Sequence, residues 1–325
     1  MSTQTEPIVV LRDGTHGLPM ADYADALRDR LPNHDIRLAR TPYEEAELTA
    51  TAPIVTGVGV DEALVTAAEN LRLFACAFAG YEHLPTAALA ERGVVVTNAS
   101  GIHAPSIAEQ VIGKMLLFDR RLDKGLRRTQ RREWRHYQAH ELTDSTVTVV
   151  GLGAIGQAIV DRLAGFGVQT IGVRYTPEKG GPTDEVIGFE DRPFHDALAR
   201  TDYLAIASPL SETTRGLIDA DALATLEPEA VLINVARGEI VDTDALVGEL
   251  RRQGLRGAAL DVTDPEPLPE DHPLWSFENV LITPHNAGHT PRHWDRLADI
   301  LADNVERIET DGADASLRNT VLSPE

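Results

Sequence analysis

Residues 146–156, TVTVVGLGAIG, decide the fold of this chain. Valine and threonine dominate positions 146–150, which predicts a strand buried on both faces of a parallel sheet. The strand runs directly into Gly151, Gly153 and Gly156, which form a G-x-G-x-x-G motif. Apolar residues then recur at helical spacing at Ile155, Ile159, Leu163 and Phe166. The stretch therefore predicts a strand, a tight turn and a helix.

Each glycine of this motif has a separate expected task. Gly151 permits the turn, Gly153 lets the backbone approach a pyrophosphate, and Gly156 lets the helix pack close to the strand. The pyrophosphate would lie at the positive end of the helix. A glycine triplet alone also occurs in ordinary turns, but the strand and helix favour a dinucleotide site. The loop residues expected there are Gly151, Leu152, Gly153, Ala154, Ile155 and Gly156.

Length and composition indicate a folded protein of about two domains. The chain has 325 residues, of which 42% are hydrophobic, and a single cysteine, Cys76. The start, MSTQTEPIVV, lacks the basic and apolar regions of a signal peptide, and no apolar run approaches the ~18 residues of a membrane helix. We expect a cytoplasmic protein without membrane partners and without a metal site.

The composition of the chain is strongly acidic. There are 51 acidic and 30 basic residues, a net charge of −21, and only three lysines, Lys114, Lys124 and Lys179. Halophilic proteins have such surfaces, so we expect a halophile; an ordinary acidic enzyme is the alternative. Either interpretation argues against nucleic-acid partners.

Strand and helix patterns alternate along the chain, which predicts doubly wound parallel sheets. The first hundred residues carry no glycine motif, so we expect this half of the chain to form the substrate domain. Strands are predicted at Ile8–Leu11, Ile36–Leu38, Ile54–Val58, Leu71–Ala75, Val94–Val96, Gln169–Val173, Tyr203–Ala207, Val231–Val235, Gly257–Ala259 and Val280–Thr283. Helices are predicted at Tyr23–Leu31 and Asp61–Glu69, from Ser106 onward, and after Pro291.

The helix from Ser106 continues into a basic segment, FDRRLDKGLRRTQRREWRH. Eight basic residues fall between Arg120 and Arg135. A nucleic-acid arm is one interpretation. The global charge favours the other, an exposed helix and loop held against acidic surface or a second subunit.

Three strand ends in the second half carry polar groups where an open α/β sheet binds ligands. Arg237 follows a buried strand in N-V-A-R-G and offers a planar fork for a carboxylate, although a structural salt bridge is equally consistent. Glu266 lies between prolines in D-P-E-P-L-P, and His285 follows T-P at the end of another strand. Taken singly, Glu266 is typical of a solvated loop and His285 of a structural histidine.

Together, these blocks resemble the D-isomer-specific 2-hydroxyacid dehydrogenase family, in its glyoxylate/hydroxypyruvate reductase-like branch. That family has the glycine motif, then N-x-A-R-G, D-V-x-x-x-E-P-L-P and T-P-H, and the chain has every block. The resemblance runs from about Phe74 to Gly288. Segment 79–84 resembles its substrate-carboxylate loop, segments 97–101 and 106–109 resemble its hinge, and segment 208–218 resembles a cofactor-contact segment.

The resemblance implies a fold of two domains around a cleft, a flavodoxin-like substrate domain and a Rossmann coenzyme domain. The implied boundaries are 1–101 plus 291–325 for the substrate domain and 102–290 for the coenzyme domain, with a dimerisation arm near 117–140. It also implies a homodimer.

The implied catalytic residues are Arg237, Glu266 and His285. His285 would protonate the alkoxide formed when hydride reaches a 2-oxo acid, since the reference pKa of imidazole, ~6.5, suits this exchange. Glu266 would orient the imidazole and favour its protonated form, and Arg237 would bind the substrate carboxylate and polarise the carbonyl group. The N–H groups of Ala79 and Gly80 would bind the remaining carboxylate oxygens, and His285 would also contact the substrate. Asp261 would meet the nicotinamide carboxamide. Further cofactor contacts are implied for Ser106, Pro209, Thr214, Val235, Ala236, His285 and Gly288.

The coenzyme is expected to be NADP(H), with NAD(H) possible. An NAD-specific Rossmann domain usually has Asp or Glu about ~20 residues beyond the motif. Here Arg174, Tyr175 and Thr176 end the second strand, 23 residues after Gly151. A guanidinium can bind the 2′-phosphate of NADP, although a solvent-facing arginine is the plain alternative.

Three functions other than 2-oxo acid reduction are considered for this fold. In formate dehydrogenase the histidine has an amide partner, so Glu266 argues against that enzyme. D-3-phosphoglycerate dehydrogenase remains open, although many carry an added C-terminal domain and about 37 residues follow Gly288 here. A nucleotide-sensing corepressor on the same fold also remains open.

Overall fold

The computed structural model describes residues 7–15, 17–312 and 315–323. Contacts divide the chain into two compact units. Unit 1 is Met1–Ile102 with His289–Glu325, and unit 2 is His103–Gly288. Each unit has its own sheet and its own hydrophobic core.

The strands of the described residues are, in chain order, β1 (Ile8–Val10), β2 (Ile36–Leu38), β3 (Ile54–Gly57), β4 (Leu73–Cys76), β5 (Val95–Thr97), β6 (Thr146–Val150), β7 (Gln169–Val173), β8 (Glu185–Ile187), β9 (Tyr203–Ile206), β10 (Val231–Asn234), β11 (Gly257–Leu260), β12 (Val280–Ile282) and β13 (Thr320–Leu322).

The α-helices of the same residues are α1 (Met20–Arg30), α2 (Pro42–Thr49), α3 (Glu62–Ala67), α4 (Thr86–Glu91), α5 (Ala104–Asp119), α6 (Leu122–Gln130), α7 (Ala154–Leu163), α8 (Asp191–Leu198), α9 (Ala220–Thr225), α10 (Thr243–Arg251) and α11 (His293–Asp311). None of these helices combines the length and the apolar character needed to cross a membrane.

Unit 1 contains a six-stranded sheet with the order β2-β1-β3-β4-β5-β13. The first five strands are parallel, whereas β13 pairs antiparallel with β5. Every residue of β1, β3 and β4 is buried, as a sheet covered on both faces requires. The 2-1-3-4-5 order of the parallel strands is the flavodoxin-like order, which confirms the predicted fold class of this half.

The core of unit 1 joins helices from both ends of the sequence. Tyr23 of α1 stacks on Trp294 of α11, with ring centroids 5.1 Å apart. The helix predicted after Pro291 is confirmed as α11, and its residues Leu297, Ile300, Leu301 and Val305 are buried in the same cluster. The last helix therefore completes the core of the first unit.

Unit 2 contains a seven-stranded parallel sheet with the order β8-β7-β6-β9-β10-β11-β12. Its first six positions follow the Rossmann order 3-2-1-4-5-6. The strand order reverses between β6 and β9, and ligands of open α/β sheets bind at this switch point, outside the carboxyl ends of the strands. The glycine motif follows β6 directly, so it lies at that point.

Some elements differ from the sequence-based expectation. The long helix does not run on through the basic segment: α5 ends at Asp119, and Arg121 has a φ of 50°, which breaks the helix before α6. No residue of α6 is buried. The short strands β8 and β13 were not predicted, because three residues that include Glu185 or Thr320 give no apolar run.

Candidate active site

Glycine is needed at the three positions of the motif after β6 for different structural reasons. A Cβ on Gly151, which has a φ of 100°, would lie 2.7 Å from Cα of Ser208, and one on Gly156 would lie 1.9 Å from the carbonyl oxygen of Gly151. A Cβ on Gly153 would meet nothing within 4 Å. Packing therefore explains two glycines but leaves open space at Gly153, the N-cap of α7. A diphosphate fits there, against the exposed first turn of a helix.

The other loop residues contribute through their backbone. The side chain of Leu152 is buried against Gly172, where a Cβ would approach Cδ1 of Leu152 to 2.3 Å. Ala154 begins α7 with an exposed methyl group, and Ile155 is half-buried against the core of unit 2. Main-chain N–H groups are thus the binding groups that this loop offers.

The residues after β7 form a compact turn. Arg174 is half-buried, and its Nη1 donates to the carbonyl oxygen of Gly180 at 2.5 Å. Tyr175 is exposed, and its hydroxyl lies 2.7 Å from Oγ of Ser211, a hydrogen bond that lowers the pKa of the phenol. Thr176 is exposed beside them. The structure thus brings the predicted Arg174–Thr176 segment against the predicted 208–218 segment.

Within the 208–218 segment, Thr214 holds the loop together. Its side chain is fully buried, and its hydroxyl donates to the carbonyl oxygen of Pro209 and accepts the N–H of Ser211, both at 2.8 Å. Pro209 is exposed. Thr214 therefore shapes the loop, and the cofactor contacts of Pro209 and Thr214 stay predictions.

Arg237 lies on a turn that the side chain of Asn234 closes. Nδ2 of Asn234 donates to the carbonyl oxygen of Arg237 at 2.9 Å, and Oδ1 accepts the N–H of Ala236 at 3.0 Å. Arg237 is exposed, and its Nη1 donates to the carbonyl oxygen of Ala236 at 2.6 Å. Val235 and Ala236 are buried. Sequence reasoning missed the role of Asn234; an amide ending the apolar strand VLIN was the available signal.

Glu266 and His285 form the pair expected of them. Nδ1 of His285 lies 2.7 Å from Oε1 of Glu266. A carboxylate only accepts, so Nδ1 carries the proton of this hydrogen bond, and Nε2 is left for a substrate. The two side chains are 49% and 43% exposed. Because β10, β11 and β12 are neighbouring parallel strands, the Arg237 turn, the Glu266 loop and His285 all follow carboxyl ends at one edge of the sheet.

Asp261 lies beneath the turn that carries His285. Its carboxylate accepts the hydroxyl of Thr283 at 2.5 Å and the N–H of Ala287 at 2.9 Å, and its carbonyl oxygen accepts the N–H of His285 at 2.8 Å. The residue is 2% exposed. The nicotinamide contact of Asp261 stays a prediction, and the structure adds a second role, which is to fix this turn.

Residues from the two ends of unit 2 meet at one carbonyl group. The oxygen of Gly288 accepts Nδ1–H of His103 at 2.9 Å and lies 3.4 Å from Oγ of Ser106. A Cβ on Gly288 would lie 3.3 Å from Nδ1 of His103, so the glycine permits this close contact. Ser106 and Gly288 were each predicted as cofactor contacts; the structure brings the two residues together, and the cofactor contacts stay predictions.

The predicted carboxylate loop belongs to unit 1. Ala79 and Gly80 are exposed after the end of β4. Nδ2 of Asn98 donates to the carbonyl oxygen of Ala79, and the N–H of Ala99 donates to that of Phe78 at 3.0 Å. The segment after β5 therefore fixes the loop, a role that sequence reasoning did not assign to Asn98. No cluster of three metal-ligating side chains occurs in the described part of the chain.

Comparisons with known proteins agree with this geometry. Residues 112–287 match the family described as D-isomer specific 2-hydroxyacid dehydrogenase, NAD binding domain. The chain is 36% identical over 253 residues to the glyoxylate reductase of Thermofilum pendens, a match that covers 76% of this chain and 74% of that protein. It is 32% identical over 304 residues to the D-3-phosphoglycerate dehydrogenase of Mycobacterium tuberculosis, covering 92% of this chain but 56% of that longer protein.

Solved structures show the same architecture over nearly the whole chain. A D-isomer specific 2-hydroxyacid dehydrogenase family protein from Aeromonas salmonicida superposes with a TM-score of 0.76 at 27% identity, covering 98% of this chain and 99% of that one. The Xanthobacter autotrophicus enzyme in complex with NADPH and MES gives a TM-score of 0.75 at 27% identity, covering 98% of both chains. The chain therefore belongs to the D-isomer specific 2-hydroxyacid dehydrogenase family and is an NAD(P)-dependent oxidoreductase.

Proposed function

We propose that this protein reduces an unphosphorylated 2-oxo acid to the D-2-hydroxy acid, with NADPH preferred over NADH. The observation that carries the proposal is the 2.7 Å contact between Nδ1 of His285 and Oε1 of Glu266, at the sheet edge that also carries the Arg237 turn. A charged acid–base pair beside an exposed guanidinium suits a substrate with a carboxylate next to a carbonyl group.

His285 is the proton donor in this proposal. A bound reduced nicotinamide supplies the hydride that adds to C2 of the 2-oxo acid. Nε2–H of the imidazolium then protonates the oxygen on C2, while Nδ1–H stays hydrogen-bonded to Glu266. The carboxylate of Glu266 stabilises the imidazolium and fixes the ring, so that one nitrogen always faces the substrate. In the reverse direction the neutral imidazole accepts the proton through Nε2.

Arg237 binds the substrate carboxylate. Its guanidinium is exposed on a turn that Asn234 fixes by two hydrogen bonds, and it can form a bidentate pair with a carboxylate. The turn also packs closely against the next loop, since a Cβ on Gly238 would lie 2.1 Å from the carbonyl group of Thr263. The guanidinium is therefore presented by a rigid support.

The coenzyme preference rests on Arg174. The residue follows β7 in the Rossmann unit, where an acidic residue would select NAD. Its guanidinium is held by the carbonyl oxygen of Gly180 at 2.5 Å. The remaining N–H groups and the exposed hydroxyl of Thr176 suit the 2′-phosphate of NADPH.

The predicted carboxylate loop favours a substrate without a phosphate group. Segment 78–83, FAGYEH, contains no arginine or lysine, and Glu82 is exposed on it. A carboxylate at this loop repels a phosphorylated 2-oxo acid. Glyoxylate and hydroxypyruvate carry no phosphate and avoid this repulsion, and glyoxylate is the substrate in the name of the Thermofilum pendens relative.

A homodimer is proposed from the surface of unit 2. Helix α6 and the following loop expose three large apolar side chains, Leu122, Leu126 and Trp134, with exposed fractions of 49%, 63% and 97%. A cavity of about 240 Å³ lies beside Leu126, Phe118 and Val280. Exposed apolar residues next to a groove are typical of an interface, and a second copy of the chain is the proposed occupant.

The test is the oxidation of NADPH by the purified protein, followed by absorbance with glyoxylate, hydroxypyruvate, pyruvate and 3-phosphohydroxypyruvate. We expect turnover with unphosphorylated substrates, a D-configured product by chiral chromatography, and a kcat lowered roughly 10²–10⁴-fold in His285→Ala with coenzyme binding retained. Coenzyme binding without turnover of any substrate would support the corepressor instead. Preference for the phosphorylated substrate would support a phosphoglycerate dehydrogenase.

A further inference from the structure

A lysine is buried in the wall of unit 2, behind the turn that carries His285. Lys114 is on α5 among Val111, Met115 and other apolar residues, and its side chain is 3% exposed. Within the described residues, Nζ has no hydrogen-bond partner. It lies 3.9 Å from Oδ1 of Asp261, whose side chain is 1% exposed. A buried ammonium group is costly, so its position calls for an explanation.

Asp261 connects this lysine to the catalytic turn. Both carboxylate oxygens accept from residues around His285: Oδ1 accepts from Thr283 and lies 3.3 Å from the N–H of Asn286, and Oδ2 accepts the N–H of Ala287. His285 itself has a φ of 50°, a backbone conformation that a histidine adopts only when its surroundings hold it. The hydrogen bonds to the carboxylate of Asp261 stabilise this conformation.

Helix α5 provides two groups to Asp261. Gln110 and Lys114 are four residues apart and therefore share a face of the helix. Nε2 of Gln110 donates to Oδ1 of Asp261 at 2.9 Å and to the hydroxyl of Thr283 at 3.1 Å. Gln110 thus donates a hydrogen bond to Asp261 but carries no charge. Lys114 carries a positive charge near Asp261 but donates no hydrogen bond to it.

The other charged groups around α5 have partners of their own. On the helix and on the elements that pack against it, the pairs are Glu109 with Arg162 of α7, Asp119 with Arg256, and Asp123 with Arg127 of α6. Asp161 of α7 is exposed, and β10 has no titratable side chain. On the turn after β12, His285 is paired with Glu266. Among the described residues, Lys114 is the cation that forms an ion pair with the buried carboxylate of Asp261.

We propose that Lys114 is a positioning residue for the reaction: its ammonium group balances the charge of Asp261 and so stabilises the turn that holds His285. The proposal rests on the role of His285 in the proposed function. It makes the catalytic turn sensitive to the protonation of a residue that does not touch substrate or coenzyme.

The pH range of this sensitivity follows from the burial of Lys114. Burial lowers the pKa of its ammonium group to about 8, and the nearby charge of Asp261 offsets part of that fall. Below pH 8 the lysine is charged and the pair is balanced. Above it the lysine is neutral, Asp261 lacks its counter-charge, and the turn is less well held.

Kinetics in the oxidative direction test this, because there the neutral imidazole is the active form and its own titration does not lower the rate at high pH. With a D-2-hydroxy acid and the oxidised coenzyme, we expect kcat of the wild type to fall above pH 8. Lys114→Met should lower kcat at pH 7.5 on the order of tenfold, the effect of removing a group that orients a catalytic residue, with KM unchanged and no further fall above pH 8. Lys114→Arg should keep activity to higher pH.

Lys124→Met is the matched control, since Lys124 is on α6 beside Tyr137. It should leave the pH profile unchanged. Wild-type kcat and an unchanged alkaline limb in Lys114→Met would overturn the proposal.

A second measurement is independent of turnover. The chain has three lysines, so the Nζ signals of protein labelled with ¹⁵N-lysine can be assigned with Lys114→Met and Lys124→Met. One signal, absent in Lys114→Met, should titrate near pH 8. A Lys114 signal still protonated at pH 10 would reject the proposal, whereas absence of turnover with the expected titration would reject only the proposed function.

Discussion

Glu266 contacts His285 from the loop after the neighbouring strand, with 2.7 Å between Oε1 and Nδ1, although both side chains are nearly half exposed. Solvent screening limits the charge effect of such a pair to about 1 kcal/mol or less. In Glu266→Gln the amide can still accept from Nδ1, but the imidazolium loses its counter-charge. We therefore expect kcat in the reductive direction to fall in Glu266→Gln.

The comparison with Glu266→Ala separates orientation from charge. Alanine removes the hydrogen bond as well, so kcat should fall further than in Glu266→Gln. A kcat equal to that of the wild type in Glu266→Gln would mean that the carboxylate charge has no part in the reaction.

Coenzyme choice should depend on Arg174. In Arg174→Asp the 2′-phosphate loses a charge-assisted hydrogen bond worth ~1.5–3 kcal/mol, so NADPH affinity should fall about 10- to 100-fold while NADH is not weakened. Coenzyme titrations at fixed salt measure this. Arg192→Asp, at an exposed position of α8, is the control. A wild type that prefers NADH, or equal weakening of both coenzymes, would reject the assignment.

The motif glycines should respond differently to one added methyl group. Gly153→Ala fills space that the protein leaves open, so we expect coenzyme affinity to fall at least about tenfold with little change in Tm. Gly156→Ala places a Cβ against the carbonyl group of Gly151 and should cost about 1–3 kcal/mol of stability. Gly113→Ala, in open space on α5, serves as the control for both readouts. Unchanged coenzyme binding in Gly153→Ala would contradict a diphosphate at this position.

The arm of unit 2 should govern the oligomeric state. Leu126→Glu and Trp134→Glu place charges on an apolar surface that a second copy would bury, so the dimer should dissociate in sedimentation experiments. Tyr43→Glu, at a residue 77% exposed in unit 1, should leave the dimer intact. A wild type that sediments as a monomer would refute the arrangement.

The net charge of −21 predicts a protein stabilised by salt. At molar salt the Debye length is only ~3 Å, so repulsion between surface carboxylates is screened. We therefore expect Tm to rise between 0.1 and 2 M KCl. A flat or falling Tm would indicate an ordinary acidic protein.

Sequence patterns predicted the parallel sheets well because their strands are continuous apolar runs. The valines of β6 and the residues of β10 are buried on both faces, and such runs are visible without a structure. Pattern reasoning could not find β13, because its three residues are held by pairing with β5, about 220 positions away in the chain.

The site residues could be predicted from sequence motifs, whereas the residues that hold the site loops in place could not. Arg237, Glu266 and His285 follow recognisable blocks, but the roles of Asn98 and Asn234 depend on which carbonyl groups their amides reach. Lys114 is visible in the sequence as a lysine within an apolar stretch of α5. Its partner, Asp261, is 147 residues further along, and only the fold brings the two together.

The membership of α11 and β13 in unit 1 has a consequence for biosynthesis. Synthesis from the N-terminus delivers all of unit 2, His103–Gly288, before the residues that supply Trp294 to the first core and close the edge of β5. Domains generally fold in the order in which they emerge from the ribosome. In this chain all residues of the coenzyme unit are synthesised before the N-terminal unit receives Trp294 and the strand that pairs with β5.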